Sequence, residues 1–349
     1  MKLCRINSAI VRLVDKDEKT LAMPSHIPHA ASMLLAVLSA NEPDKMDAAK
    51  KGLPFQPLSY RDFMLFPAHY AGAAAGIGAL WLKQKGFPIS GTLLAWTAWL
   101  WHKTTGTFLF PFGPSRIYKR QPIFYQGNHL SIVASGTPVV KPPYCERYLD
   151  VELELGVILG QELYNAGSPN EALGAIAGFC VLNDFSARDV QWREMRSGFG
   201  PQLCKSFASA ISSEVVSADE IYQLLPVNST NPIAHPPSPE VEGKYSRTGN
   251  FTPLRGRVTV NGNRVAECAI AADDWQFTLG EALMHASQGT KLYPGELFGS
   301  GTWPGGAGIE YLSWSVKVGD TVTLEIDGVG SVTNQIVEEP QDRPAYQNC

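Results

Sequence analysis

Residues 149–156, Leu-Asp-Val-Glu-Leu-Glu-Leu-Gly, constrain the fold of this chain more than any other stretch. Apolar and acidic side chains alternate, the period of a β-strand whose successive side chains point to opposite faces. Glu152 and Glu154 therefore share one face, their Cα atoms about 6.6 Å apart, while Val151, Leu153 and Leu155 share the other. The segment alone leaves two readings open. Either the acidic face is solvated, or the two carboxylates are held together by a hard divalent cation that offsets their repulsion.

Further strands are expected within Ile6 to Val14, over Arg257 to Val260, and over Thr321 to Ile326. Asn261-Gly262-Asn263 then turns the second of these back into Arg264 to Ile270. Helical signals are fewer. Ser168-Pro169-Asn170-Glu171 has a capping serine, a proline in the first turn and a glutamate three residues on. Thr278 to Ser287 and Pro28 to Ser39 show helical spacing as well. The order of elements opposes a regular βαβ winding and predicts an α+β, strand-dominated chain. A small N-terminal region is expected over 1–58, a large domain over 59–340, and a tail over 341–349.

Composition excludes several classes. With 44% hydrophobic and 18% charged residues the chain is not a disordered one. Its 29 Lys and Arg against 33 Asp and Glu give a net charge of −4, which does not favour a nucleic-acid partner. Six scattered cysteines form no CxxC pair, so neither a zinc knuckle nor a redox dithiol is expected. The apolar run after Met1 is broken by Asn7 and Arg12, unlike a signal peptide. The uncharged stretch Pro88 to Trp101 has 14 residues, short of the roughly 20 that span a bilayer. A cytoplasmic protein without a membrane partner is expected. The Pro-rich stretch 234–253 reads as a long surface loop or flap. Asn228 and Asn250 match the glycosylation pattern but carry little weight without a leader.

Three further segments carry candidate chemistry. Asn183-Asp184-Phe185-Ser186-Ala187-Arg188-Asp189-Val190-Gln191 follows an apolar approach and offers a third carboxylate. It reads either as a helix cap with Arg188 paired to Asp189, or as part of an oxygen-rich cation site. Lys205, before Ser206 and Phe207, is either a surface lysine or a stabiliser of developing negative charge. His69, in a largely apolar context, is either a satisfied core side chain or a base. The seven histidines show no HExxH spacing, so a zinc protease is not expected.

Taken in order, Asp62, His69, Glu152-Leu153-Glu154, Asn183 to Asp189, Lys205-Ser206-Phe207 and Gly299-Ser300-Gly301-Thr302 resemble the fumarylacetoacetate hydrolase family. The resemblance runs from about residue 60 to 337 and implies a mixed β-sheet core with a few flanking helices. It implies one divalent cation, Mg²⁺ or Ca²⁺, held by Asp62, Glu152, Glu154 and Asp184. It places a histidine base and its orienting glutamate at His69 and Glu310, with Lys205 and Gln191 stabilising oxyanions. Substrate contacts fall on Met64, Tyr125, Met195 and Thr302. The implied activity is metal-dependent hydrolysis of a C–C bond in a 1,3-dicarbonyl or acylpyruvate-like substrate, in a homodimeric enzyme; the aromatic insertion and methionine substitutions of this chain suit the tailoring of a larger, secondary metabolite. The alternative on the same scaffold is an oxo-acid decarboxylase, dehydratase or tautomerase using a metal-stabilised enolate.

The chain also departs from the family pattern. Met64 and Met195 stand where substrate-holding tyrosines are expected, and Gly78 where an arginine is expected, which argues against fumarylacetoacetate itself. An aromatic-rich insertion spans about residues 80–115. Trp96 and Trp99 fit one helix face, and Phe108, Phe110 and Phe112 alternate as in a strand. The insertion reads as a local core or dimer contact, as a hydrophobic lid, or as a membrane contact.

Overall fold

The strand carrying Glu154 and the apolar run ending at Asp184 lie side by side. A computed structural model describes residues 2–6, 9–14, 17–20, 29–40, 52–221 and 253–339. Four of its strands carry the site: β1 (Tyr60–Phe63), β2 (Leu153–Leu159), β3 (Ile176–Asp184) and β4 (Leu297–Gly299). β3 pairs antiparallel with β2, setting Leu182 opposite Glu154 and Asn183 opposite Leu153. β4 pairs antiparallel with β2 and parallel with β1, so Gly299 is flanked by Gly156 and Asp62.

This sheet extends past β1 to Phe124–Gly127 and past β3 to Glu214–Ser217. Lys2–Ile6, Ala9–Val14 and Asp17–Thr20 continue it as an antiparallel meander on the Glu214–Ser217 edge. The strand expected from Ile6 to Val14 is thus two, joined as a hairpin in which Ile6 pairs with Ala9. A second sheet runs Asn263–Ile270, Leu254–Val260, Thr321–Ile326, Gly330–Val337 and Val139–Val140. The two sheets meet closely: a Cβ at Gly256 would lie 2.7 Å from the Leu153 side chain and 3.1 Å from Trp303. Every residue of β2 and β3 is buried. Burial on both faces overturns the solvated reading of the Glu152–Glu154 face.

The mixed α+β expectation holds, but helices contribute more than the local signals promised. Ser168 caps Pro169–Gly174 by accepting the Glu171 N–H, and Thr278 and Glu281 form a reciprocal capping box on Leu279–Ala286. The predicted turn has Asn261 and Gly262 at φ 51° and 78°, the left-handed pair that a tight hairpin needs. Helix His29–Ala40 lays Leu34 against β3, where a Cβ on Gly178 would stand only 3.0 Å from it.

The largest addition is a helical hairpin, α1 (Pro67–Gln84) and α2 (Pro88–Thr105), each of 18 residues. Both begin at a proline, whose missing N–H costs nothing in a first turn. Trp96 and Trp99 lie on α2 as the spacing implied. Phe108, Phe110 and Phe112 form no strand; the Phe112 N–H donates to Leu109 O at 2.7 Å and closes a turn. Pro111, which has no N–H for a ladder, interrupts that alternation. Among the described residues no helix is long and apolar enough to cross a membrane. The 341–349 tail, Asn228, Asn250 and all of the 234–253 loop but Pro253 lie outside the described residues.

Candidate active site

Strand parity brings the acids together. Asp62 points from β1 toward β4, where Gly299 has no side chain: a Cβ there would lie 2.3 Å from Asp62 Oδ1 and 2.5 Å from Glu154 Oε2. Glu152 sits just before β2, and Asp184 ends β3. Ligand oxygens of Asp62, Glu152, Glu154 and Asp184 all lie within 4.8 Å of one another, and all four residues are buried. Four carboxylates from three separate stretches of chain form one oxygen-only cluster.

Two cations reach it, unevenly. Lys205 Nζ donates to Glu152 Oε2 at 2.5 Å and also to Asp184 Oδ2. Arg188 donates to Glu152 Oε1 at 2.6 Å and, through Nε and Nη2, to Asp150 Oδ2 at 2.9 and 2.8 Å. Tyr125 Oη and Ser209 Oγ donate to Asp184 at 2.6 and 3.1 Å. Among the described residues Glu154 accepts from neutral donors, Gly301 N–H and Thr302 Oγ, and its carboxyl is hydrogen-bonded with that of Asp62. Asp62 Oδ1 is buried with no hydrogen-bond partner.

The electrostatics follow this imbalance. Burial, then the Asp184 charge, pushes the Asp62 carboxyl well above the usual carboxylate range. Burial and the Asp62 charge do the same to Glu154, and burial raises Asp184 against the pull of Lys205. Burial acts on Glu152 too, yet Lys205 and Arg188 overcome it and hold that carboxyl below its ordinary range. Burial opposes the charge on Lys205, but Asp184 and Glu152 keep the ammonium protonated. The two cations thus offset Glu152, while Asp62 and Glu154, with no cationic hydrogen-bond partner among the described residues, avoid their buried charge by holding protons more tightly. The cluster's orphaned oxygen, all-oxygen donor set and the space at Gly299 suit a hard divalent cation.

His69 stands in the first turn of α1, 2% exposed. Its Nδ1 is 2.8 Å from Glu310 Oε1, and its Nε2 is 3.7 Å from Glu152 Oε1. The Gly305 N–H donates to both Glu310 oxygens at 3.0 Å. Burial raises the Glu310 carboxyl while the hydrogen bond to His69 lowers it. The loop bearing Glu310 is pinned by Asp150, which accepts from Gly308 and Ile309 N–H at 2.8 and 2.9 Å. One carboxylate, Asp150, thus ties Arg188 and the acid cluster to the backbone that presents Glu310.

The remaining predicted residues divide. Lys205 is buried rather than a surface lysine, and Gln191 Oε1 accepts from Arg188 at 2.8 Å. Thr302 and Tyr125 touch the acids directly, and the backbone of Met64 packs on Gly301. Met195, one helical turn beyond Gln191, is 45% exposed. Gly78 is nine residues past His69, about half a turn around α1 from it. Its Cβ position faces Phe112 and Leu94 at 3.3 and 3.6 Å. Of the two readings of this segment, the one with Arg188 paired to Asp189 does not hold. Arg188 turns inward to Asp150 and Glu152, and Asp189 accepts from the N–H groups of Arg147 and Tyr148. Asp150 and Ser209 are site residues that the sequence reading does not single out: Asp150 shares the parity of Glu152 and Glu154, but its partners, like those of Ser209, are distant in sequence.

An acid cluster on a mixed β-sheet, with an ammonium and an imidazole turned toward it, defines a metal-associated catalytic centre. The chain belongs to the fumarylacetoacetate hydrolase family: the model of the fumarylacetoacetate (FAA) hydrolase C-terminal region matches residues 113–337. Asp62 and His69 lie before that match. Among curated relatives, fumarylacetoacetase from Mus musculus is 34% identical over 241 residues, covering 59% of this chain and 55% of that protein. Fumarylacetoacetase from Arabidopsis thaliana is 32% identical over 206 residues, covering 53% and 48%. The chain spans about half the length of the curated relatives it matches. A fumarylacetoacetate hydrolase from psychrophilic Exiguobacterium antarcticum shares the fold at TM-score 0.58 and 17% identity, over 97% of this chain and 98% of that one. A 5-carboxymethyl-2-hydroxymuconate delta-isomerase from Mycobacterium smegmatis does so at TM-score 0.50 and 16% identity, over 82% and 79%.

Proposed function

We propose that this chain is a divalent-metal-dependent hydrolase that cleaves a C–C bond in a 1,3-dicarbonyl or acylpyruvate-like substrate. The observation that carries the reading is the His69–Glu310 pair set against the acid cluster, with Nδ1 engaged at 2.8 Å and Nε2 turned to the Glu152 side. A carboxylate on one ring nitrogen fixes the tautomer and leaves the other to accept a proton. The curated relatives named fumarylacetoacetase support the same reaction class.

Asp62, Glu152, Glu154 and Asp184 would hold Mg²⁺ or Ca²⁺, whose contribution is Lewis-acid polarisation of a substrate carbonyl and stabilisation of enolate charge. His69 Nε2 takes a proton from water, and the hydroxide adds to the carbonyl carbon. Collapse of the tetrahedral adduct breaks the bond to the neighbouring carbon, which leaves with the electron pair as an enolate. His69 returns the proton to that carbon, giving a carboxylic acid and a shortened ketone. Lys205, kept charged by its acidic neighbours, stabilises oxyanions. Glu310 holds the imidazole in place throughout.

Two variants separate these roles, read by calorimetric cation binding and by acylpyruvate turnover. His69→Ala should keep cation affinity and lose roughly 10²–10⁴ in hydrolysis. Asp184→Ala should lose both. Undiminished hydrolysis by folded, metal-loaded His69→Ala would rule out His69 as the base. CO₂ released in place of the acid product would move the chain to decarboxylation.

A further inference from the structure

Helix α2 is built inside out. Gly91, Ala95 and Ala98 are its buried residues, and Gly91 comes so near α1 that a Cβ would sit 2.5 Å from Ala79 O. The large apolar residues face away. Ile89, Leu93, Trp96 and Leu100, at i, i+4, i+7 and i+11, form one outward stripe, 83%, 58%, 55% and 37% exposed. Trp99 and Trp101 flank it at 40% and 45% exposure. Whole aromatic side chains carry about 150–250 Å² each, so at these exposures the stripe and its flanks are on the order of the largest apolar patch of a typical monomer, about 300–600 Å², a size that is often functional.

The charge of the segment that carries the stripe is one-sided. No Asp or Glu occurs between Asp62 and Glu146, whereas that stretch holds seven of the 29 Lys and Arg. The rest of the chain holds 22 basic residues against all 33 acidic ones. Lys83 and Lys85 precede the stripe, Lys103 ends it, and Arg116, Lys119 and Arg120 follow; all six are exposed. None of them forms an ion pair among the described residues. A second copy of this face would bring cationic rims together, which opposes self-association. What fits is a partner apolar at its centre and negative at its surface.

We propose that α2 and its basic rim form a reversible docking surface for an anionic phospholipid bilayer. The helix lies in the interface plane, with Trp and Leu among the upper acyl chains and the lysines at headgroup level. At 18 residues it is about 27 Å long, and the shallow open hollow between Pro88, Ile89, Thr92, Leu93 and Trp96 is apolar, a surface that fluid acyl chains can follow. The attraction is electrostatic at range and apolar on contact, so salt weakens it.

The test is flotation of the full chain with phosphatidylcholine vesicles, with and without phosphatidylserine, at low and high salt. Leu93→Glu/Trp96→Glu and Lys83→Glu/Lys85→Glu/Lys103→Glu are the variants, all at exposed positions, with folding checked by circular dichroism and cation binding. The parent should float with the phosphatidylserine vesicles alone and be released by salt, and each variant should bind at least tenfold more weakly. No flotation of the parent, or flotation that neither variant reduces, would overturn the proposal. A parent dimer that Leu93→Glu/Trp96→Glu converts to monomer would also overturn it, assigning the face to a second copy.

Discussion

Gly76→Ala should disable catalysis at some cost in stability while leaving the cation site in place. Gly72 and Gly76 lie three and seven residues past His69 on α1, on its face of the helix. The loop bearing Glu310 presses into the groove they leave: a Cβ on Gly72 would be 3.2 Å from Glu310 Oε2, and one on Gly76 only 1.7 Å from Ile309 O. Reaching the 3.0 Å floor of real Cβ contacts requires a retreat of roughly 1.3 Å by the residue adjoining Glu310. The 2.8 Å His69–Glu310 contact does not survive such a shift. Misplacing a catalytic group by about 1 Å costs on the order of 10² in rate. Stability falls as well, because the clash is with backbone: overpacking costs about 1–3 kcal/mol, offset by up to about 1 kcal/mol that alanine gains over glycine in a helix, so kcat is read on protein shown to be folded. The assay is kcat on an acylpyruvate, with cation affinity and the urea midpoint measured on the same preparation. Gly78→Ala is the control: its nearest neighbour is the edge of the Phe112 ring at 3.3 Å, which can swing aside. Folded, metal-loaded Gly76→Ala with the parent kcat would refute the reasoning, as would an equal loss in Gly78→Ala.

Arg188→Met removes the cation shared by buried Asp150 and Glu152, and breaking such a pair costs about 3–5 kcal/mol, so the urea midpoint should fall sharply; a loss under 1 kcal/mol contradicts this account. After EDTA treatment, the thermal midpoint should fall as pH rises above the ordinary carboxylate range. Asp62, Glu154 and Asp184 have raised folded pKa values, so their stabilisation is full below the unfolded value, about 4, and is lost on passing through the folded ones. Glu152, held low, contributes stability that is already complete at those pH values and does not mask the trend. Added Mg²⁺ or Ca²⁺ should reverse the fall, by about 2.7 kcal/mol at 100 times its dissociation constant; a midpoint indifferent to pH and cation would contradict the charge imbalance.

Much of the centre is written locally. Alternation at 149–156 specifies a strand with two carboxylates on one face, and the Ser168 and Thr278 caps and the Asn261-Gly262 turn follow from neighbours a few residues apart. Such features need only backbone geometry and side chains within one turn or one pleat, so short-range sequence determines them. The resemblance to a known family supplied the rest of the acid set.

What the tertiary structure decided are contacts between residues far apart. His69 and Glu310 are 241 residues apart, and the groove that joins them depends on Gly72 and Gly76, whose meaning appears only when the Ile309 carbonyl arrives. Arg188 had an acidic neighbour at Asp189, yet it pairs with Asp150, 38 residues away, because the buried Asp150 carboxylate has no other cation among the described residues. The outward face of α2 likewise depends on assembly. Its small residues fit closely against α1, and that packing turns the tryptophans outward, a choice no periodicity within the helix could make.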